Sequence, residues 1–589
     1  MKGLKVLRID DIPLLYEQVK ELGIQEAIDD NIKVHGNRTG LSLGHLVSIW
    51  LCYLLSESDH RLGLVESWAK TNLELLKLLS GEEDMNEKDF TDDRLEQALD
   101  YLNEGNNWAL VSNKLNSNSL AVYDIDGSNT VRLDAAPMQG HHEIKASGLF
   151  QRGYSKHHDS RLGMLKIMLA CVDNEVNGFA YPLAHITVPG HRADDGLYIS
   201  IMEECEKTFN FGGQAGRKLY VGDSKMGSTE NRCFVVNSKN DYLTPLSKIQ
   251  LSEEERNKEI EQMDKGVYKE VYKEEKTGEK TLIAEGFERE VKVSCRDENN
   301  EVHEWTERQI FVLSTSYATG QKKILDGKLS NAQKELEDLL VVKQGRKKIK
   351  TREELEQRVE QILNRGGLAE LIDVKIEEQV HEREVRKYKD RPAGVEQFST
   401  FEMEVTKNEE KIEARKQTLG WQVYATTLSE EELSFEQCVW KYRYQNRVER
   451  RFDDLRNKVV PLVPIFVRKD NRVEALINLL MVCLKICCVI EYKVSKQLQL
   501  QQEELANIYE GNPKRSTAKP TAKRLLKAFK GISLVLSGNG IQAGQYIGIT
   551  DLSSVQLKII QLLGFDTTIY TELAQRMQMF FSKGKISET

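Results

Sequence analysis

Apolar residues recur every three to four positions in LSLGHLVSIWLCYLL and DRLEQALDYL. That is the spacing of one helical face, and it predicts helices over most of residues 1–115. Asn37-Arg38-Thr39-Gly40 breaks the run. The period changes near residue 119. LAVYDIDGSNTVRLDAAPM reads as two strands around the turn Asp126-Gly127-Ser128-Asn129. LKIMLACV and FAYPLAHITV follow as two further strands, with a turn at Asp173-Asn174-Glu175 between them. ADDGLYISIMEECEKTF has the spacing of an amphipathic helix, with Asp194 or Asp195 placed to cap it. RKLYVGDSKM then reads as a strand ending on Asp223.

The texture shifts again after residue 250. LSEEERNKEIEQMDKG is highly charged, VKVSC and RQIFVLSTS alternate as short strands, and residues 322–390 are dense in Lys, Arg and Glu with periodic Leu. That last block predicts long helices, some of them packed as a hairpin. The strand pattern resumes with GWQVYATT, so the stretch reads as an insertion. The tail from about 470 reads as helical, and NPKRSTAKPTAKRLLKAFKG is its most basic part. Five segments result. They are a helical N-terminal domain (1–115), the first part of a core (116–250), an inserted β-rich and helical domain (251–416), the second part of the core (417–470) and a helical C-terminal region (471–589).

Composition adds limits. The 589 residues suit several domains. The net charge of −9 requires that any nucleic-acid surface gather its cations on one face. The nine cysteines show neither CxxC pairs nor zinc spacing and are read as reduced core thiols of a cytoplasmic protein. Residues 473–492 are the most apolar stretch. They contain Glu474, Asn478, Lys485 and Glu491, which predicts a buried helix and no membrane span.

Three carboxylates carry the candidate chemistry. Asp134 follows Val131-Arg132-Leu133, and Asp223 follows Leu219-Tyr220-Val221-Gly222, so both follow apolar strand runs. A turn or cap role is the plain alternative for either. Ser434 and Gln437 have capping-box spacing, and a helix from there runs through FEQCVWKYRYQNRVERRFDDLRNK. On it Val448, Phe452, Leu455 and Val459 form an apolar seam, with Tyr442, Gln445, Glu449 and Arg456 as a second stripe beside it. An ordinary charged helix is the plain alternative here. Carboxylates converging from separate elements suit Mg²⁺, a hard ion that prefers oxygen ligands.

These residues resemble the DDE transposases of bacterial insertion sequences, whose catalytic core is ribonuclease-H-like. TVRLDAAPM is similar to their first-aspartate strand, LYVGDSKMG to the second, and YRYQNRVERRFDDLR to the glutamate helix. One branch carries Tyr, Arg, Glu and Lys on that helix. The matching positions are Tyr442, Gln445, Glu449 and Arg456, so two of the four depart from the pattern. GLFQRGYSKHHDSR lies where relatives carry a basic Gly-x-Ser-Lys stretch.

The resemblance implies an α/β ribonuclease-H-like core with an insertion between the second Asp and the Glu, and a DNA-binding role for the N-terminal domain (1–115). It implies two Mg²⁺ ions (Mn²⁺ substituting) on Asp134, Asp223 and Glu449. It also implies a homodimer on double-stranded DNA with terminal inverted repeats, and strand transfer into target DNA. Tyr442, Arg456, Lys156, Arg447 and Lys225 are the expected DNA contacts. Where a hairpin forms on the transposon end, Trp305 and Trp421 are candidates to stack a flipped base, with core packing as the competing role. Asp124 and Asp126 compete with Asp134. His141-His142-Glu143 and His157-His158-Asp159 lack HExxH spacing, and Phe211-Gly212-Gly213-Gln214-Ala215-Gly216 lacks the Lys-Ser/Thr of a phosphate loop. The rival readings are a catalytically inactive DNA-binding derivative, a metal-dependent nuclease that never joins strands, and a helical scaffold.

Overall fold

The computed structural model describes the chain apart from residues 1–3, 124–128, 154–158, 160, 175–177, 212–215, 275–277, 297–299, 342–347, 386–393, 458, 461, 538–544 and 584–589. It divides into two compact units. The first is Met1–Thr244 with Ser294–Glu304 and Lys441–Thr589; the second is Pro245–Val293 with Trp305–Trp440.

The first unit opens with a strand, β1 (Leu4–Arg8), and then helices α1 (Ile12–Glu21), α2 (Ile24–Asp29), α3 (Leu43–Glu57), α4 (Val65–Ser80), α5 (Asp92–Leu102) and α6 (Asn107–Tyr123). Ser42 caps α3 by accepting the His45 amide. The LAVY segment, expected to be a strand, is the last turn of α6. Its apolar, partly β-branched residues suit either state, and tertiary packing decides: Leu120 is buried.

Next come β2 (Thr130–Gly140), β3 (Gly163–Asn174), β4 (Phe179–Pro189), α7 (Leu197–Phe211), β5 (Leu219–Val221), α8 (Thr229–Asn237) and β6 (Asp241–Pro245). The strands lie in the order β4-β3-β2-β5-β6. The first two pairings are antiparallel, and β2–β5 and β5–β6 are parallel. β2 is central. It pairs with β3 from Val131 to Gly140 but with β5 only from Thr130 to Arg132. Pro137 sits where β5 has already ended, so its missing N–H interrupts no second ladder.

The second unit holds α9 (Glu253–Gln262), β7 (Lys269–Glu274), β8 (Lys280–Arg296), β9 (Val302–Ser314), α10 (Thr315–Glu337), α11 (Arg352–Gly366), β10 (Ile372–Val385), β11 (Gly394–Lys407), α12 (Glu409–Thr418), β12 (Trp421–Thr426) and most of α13 (Phe435–Arg443). Its strands run β12-β9-β8-β7 over a core of Leu251, Phe287, Phe311, Trp421 and Val423. Trp421 is therefore core, and its indole donates to the Gln417 carbonyl at 3.2 Å. The segment 372–385 was expected to be helical and is a strand. Ile372, Val374 and Ile376 alternate at period 2 and pack, with Met403 and Val405 of β11, on a core that includes Leu336 and Leu355. The charged residues between them mask that period.

The chain then returns to the first unit with α14 (Asn446–Asn457), α15 (Asp470–Gln501), α16 (Ala522–Lys527), β13 (Ser533–Ser537), β14 (Gln545–Ile549), α17 (Ser554–Leu562), α18 (Thr568–Thr571) and α19 (Leu573–Lys583). The tail expected to be helical thus contains two strands, and β13 pairs antiparallel with β1 from the other end of the chain. α15 is the one described helix long and apolar enough to cross a membrane, and 94% of its apolar window is buried in the fold. Seven cysteines are buried thiols, as expected. Cys233 and Cys295 correct the rest: they form a disulfide across 62 positions. The fold, not local spacing, brings them together.

Candidate active site

The start of β2 is fixed from below by charge. Arg132 is fully buried and donates through Nε to Asp173 at 2.7 Å and through Nη1 to the Lys441 carbonyl at 2.7 Å. Arg447 of α14 grips the other oxygen of Asp173. Asp173, expected in a turn, is a buried residue of β3 shared by two arginines. A buried carboxylate requires such partners.

Arg132 of β2 pairs with Val221 of β5, and each aspartate comes two residues later: Asp134 and Asp223. They stand at matching positions on adjacent parallel chains, where strands lie about 4.8 Å apart. Asp134 lies inside β2, not at its end, because the ladder to β3 continues to Gly140. Asp223 lies just past β5 in a turn closed by the Met226 amide on its carbonyl at 3.0 Å. Thr244 donates to the same carbonyl at 2.8 Å. Gly222 has no room for a side chain: an added Cβ would stand 2.6 Å from the Met226 sulfur and 3.1 Å from the Tyr198 ring. The close approach is the chain's own.

Each aspartate has one oxygen engaged. Asp134 Oδ1 accepts the Ala135 amide at 2.9 Å; Asp223 Oδ1 accepts the Tyr198 hydroxyl at 2.7 Å and the Lys225 amide at 2.8 Å. The Oδ2 atoms have no partner among the described residues. Tyr198 is buried, and its phenol is held well above its ordinary pKa by burial and by Asp223, so it stays a donor.

Glu449 reaches the pair through α14. Gln445 donates to the Leu133 carbonyl at 2.7 Å, and Arg456 donates to the Pro137 carbonyl at 3.3 Å. These carbonyls flank Asp134 in sequence, and Glu449 lies one helical turn beyond Gln445. The Asp134 carboxyl registers the arrangement: burial, then Asp223, then Glu449 and Asp194 push its pKa up to about 7, against the Ala135 amide. The structure therefore brings the three sequence-predicted acids into one field. The expected single helix is broken at Tyr444–Gln445, where successive i→i+3 bonds (Gln445 to Tyr442, Arg447 to Tyr444, Val448 to Gln445) tighten the backbone. The capping box of Ser434 and Gln437 is present at the start of α13.

The expected DNA contacts are placed differently from one another. Arg447 is buried, bound to Asp173 and stacked 3.9 Å over the Tyr444 ring. Arg456 is half-buried on Pro137. Lys225 is exposed, 3.6 Å from Asp195. Tyr442 is half-buried in the last turn of α13, and Lys156 lies outside the described residues, as do Asp124, Asp126 and the His157-His158 pair. His142 stacks on Phe150 at 3.9 Å, which is a packing role. Trp305 is half-buried in β9.

Two participants escaped the sequence reading. Asp194, read only as a cap, faces the field of Asp134 while paired with Lys166 at 2.6 Å. Tyr198, read only as part of an amphipathic helix, holds Asp223. The signal for both was their place at the start of α7, directly before the second-aspartate strand.

Among the described residues no three His, Cys, Asp or Glu side chains stand at metal-ligand distances. The donor chemistry nonetheless fits Mg²⁺: two carboxylate oxygens without partners, in a field of uncompensated negative charge. This ion keeps several waters and needs only one or two direct carboxylates. No curated protein sequence matches the chain. Residues 4–113 match the family described as "Domain of unknown function (DUF4277)", and the chain carries that domain at its N-terminus.

Proposed function

We propose that the chain is a cut-and-paste DNA transposase of the DDE kind. It binds the inverted repeats at an element's ends, hydrolyses a phosphodiester there and transfers the freed strand to target DNA. The observation that carries this reading is the matched placement of Asp134 in β2 and of Asp223 two residues past the last pair of the parallel strand β5, with Glu449 on a helix tied to β2. A central strand bearing one aspartate, flanked by a parallel strand bearing the next, is what a ribonuclease-H-like core requires.

Asp134, Asp223 and Glu449 would hold Mg²⁺, which would supply positive charge for the attacking and leaving oxygens. The chain's own residues do the positioning. Tyr198 and the Lys225 amide fix one oxygen of Asp223 and leave the other available as a ligand. Ala135 does the same for Asp134. Glu449, exposed on its helix, adds the third carboxylate to the field of Asp134.

The test is Asp223→Asn with a duplex carrying the inverted repeats that flank the coding sequence. Mg²⁺-dependent end cleavage should fall by about 10²–10⁴-fold, the worth of several kcal/mol of charge stabilisation. Binding of the ends should change little. Cleavage that persists in the variant refutes the assignment. Strand-transfer products with labelled ends separate a transposase from a nuclease that only hydrolyses.

A further inference from the structure

Beside α14 lies a cavity of about 140 Å³ lined by Gly178, Arg447, Arg450, Arg451, Lys519 and Glu491, among others. Its charges do not balance. Four cations line it against two carboxylates, Asp454 and Glu491. Both carboxylates are engaged by Arg451, at 3.1 and 3.0 Å, and Glu491 also accepts the Ala522 amide at 2.9 Å. Arg447 is matched by Asp173, which it shares with Arg132. Arg450 and Lys519 are left without a carboxylate partner among the described residues.

The cations converge on one point. Gly178 opens β4 with φ +69, and a Cβ built on it would lie 3.0 Å from Lys519 Nζ and 3.5 Å from Arg447 Nη2. The absent side chain leaves a space bounded by two cationic heads, with Arg450 on the rim. Lys519 comes from the basic stretch that precedes α16, folded back onto this helix. Burial and the two neighbouring arginines push the Lys519 pKa down, as like charges gathered at one place do.

We propose that Arg450, Lys519 and Arg447 form a phosphate-binding site at Gly178, and that its ligand is a backbone phosphodiester of DNA. Arg447 is held in place by Asp173. Arg450 follows Glu449 in the sequence, about 100° around the helix, so one helix presents the acidic set on one side and this site on the next. A duplex lying along α14 meets both. The identity of the ligand rests on the transposase reading; the phosphate site itself does not.

The test uses the full chain with Lys519→Gln, Arg450→Gln and Lys519→Arg. Affinity for a random-sequence duplex is measured by fluorescence anisotropy over a range of KCl. Each Gln variant should weaken duplex binding about tenfold at physiological salt and lower the slope of log K against log salt by about 1. Lys519→Arg should retain both. The melting temperature of Lys519→Gln should hold or rise, because a cation is removed from beside two others; a merely structural lysine would lower it. Inorganic phosphate should raise the melting temperature of the unsubstituted protein and not of the Gln variants. Unchanged affinity and slope in the Gln variants overturn the DNA assignment. The absence of any phosphate effect overturns the site. If the unsubstituted chain binds no duplex, the transposase reading fails, and the phosphate arm still decides the site.

Discussion

At the scale of single residues, Asp134 has the most to reveal about the site. Its carboxyl is raised from 3.8 to about 7, chiefly by burial and then by Asp223. A group raised on folding contributes stability that is fully present below its unfolded value and is lost as pH rises through its folded value. Between about pH 4 and 7 the metal-free protein should therefore lose stability through this group, by at most about 4 kcal/mol over that window. Asp134→Asn should flatten that dependence and raise the melting temperature of the metal-free protein at pH 8. Mg²⁺ should then stabilise the unsubstituted chain and not the variant. Thermal melts at pH 5 and 8, with Mg²⁺ or with EDTA, check both; a variant that melts below the parent at pH 8 would contradict the account. The sequence could offer Asp134 only as one of several aspartates. What selects it is the register of β2 against β5, a long-range property.

At the scale of elements, α14 owes its position to partners on other strands. Asp173 joins β3 to Arg132 of β2 and Arg447 of α14. Asp173→Asn should leave two buried guanidinium groups short of charge and destabilise the first unit by about 3–5 kcal/mol, read by urea denaturation. A loss below about 1 kcal/mol would mean that the helix is held by its apolar seam instead. That seam was legible in part: Val448, Phe452 and Leu455 are buried on α14, and Val459, also buried, lies past its end. So were β3, β4 and α7, whose apolar period is unbroken by charge. The break at Tyr444–Gln445 was not: Gln445 there donates to the Leu133 carbonyl of a strand 312 positions earlier, a contact no local pattern announces. β10 was missed for a local reason: its glutamates and arginine hid an alternation of Ile and Val.

α15 holds a further buried titratable group. Lys485 donates to Asn116 at 2.5 Å and has its pKa lowered to about 7 by burial. A base lowered on folding costs stability where the unfolded chain is protonated and the folded one is not, so stability rises with pH from about 7 to 10.5. Lys485→Met should raise stability at pH 8 by about 1–3 kcal/mol, after the loss of the Asn116 partner. Calorimetry across that range measures it, and a variant less stable at pH 8 than the parent counts against a buried neutral lysine.

At the scale of the molecule, the two ends belong to one unit. Leu4 pairs with Ser537 and Arg8 with Ser533, and the Tyr570 hydroxyl donates to the Asp10 carbonyl at 2.8 Å. Lys530 stands 3.5 Å from Asp10 and donates to the Ser56 carbonyl at 2.8 Å. The segment 4–113, although it matches a family by itself, lacks these partners when cut free. Expressed alone it should show helical circular dichroism without a cooperative melt, and adding the C-terminal segment in trans should restore one. A sharp, reversible transition in the isolated segment would refute this. The β1–β13 pairing also sets a clock on the ribosome. At roughly 5–20 residues per second, the first strand waits about 25–100 s for its partner to be made. The unit that carries the three acids cannot close while it is being translated. The ties of the two aspartates all lie within residues 130–244, whereas those of the Glu449 helix come only with Gln445 and Arg456, so a nascent chain can place the aspartates long before the acidic set is complete.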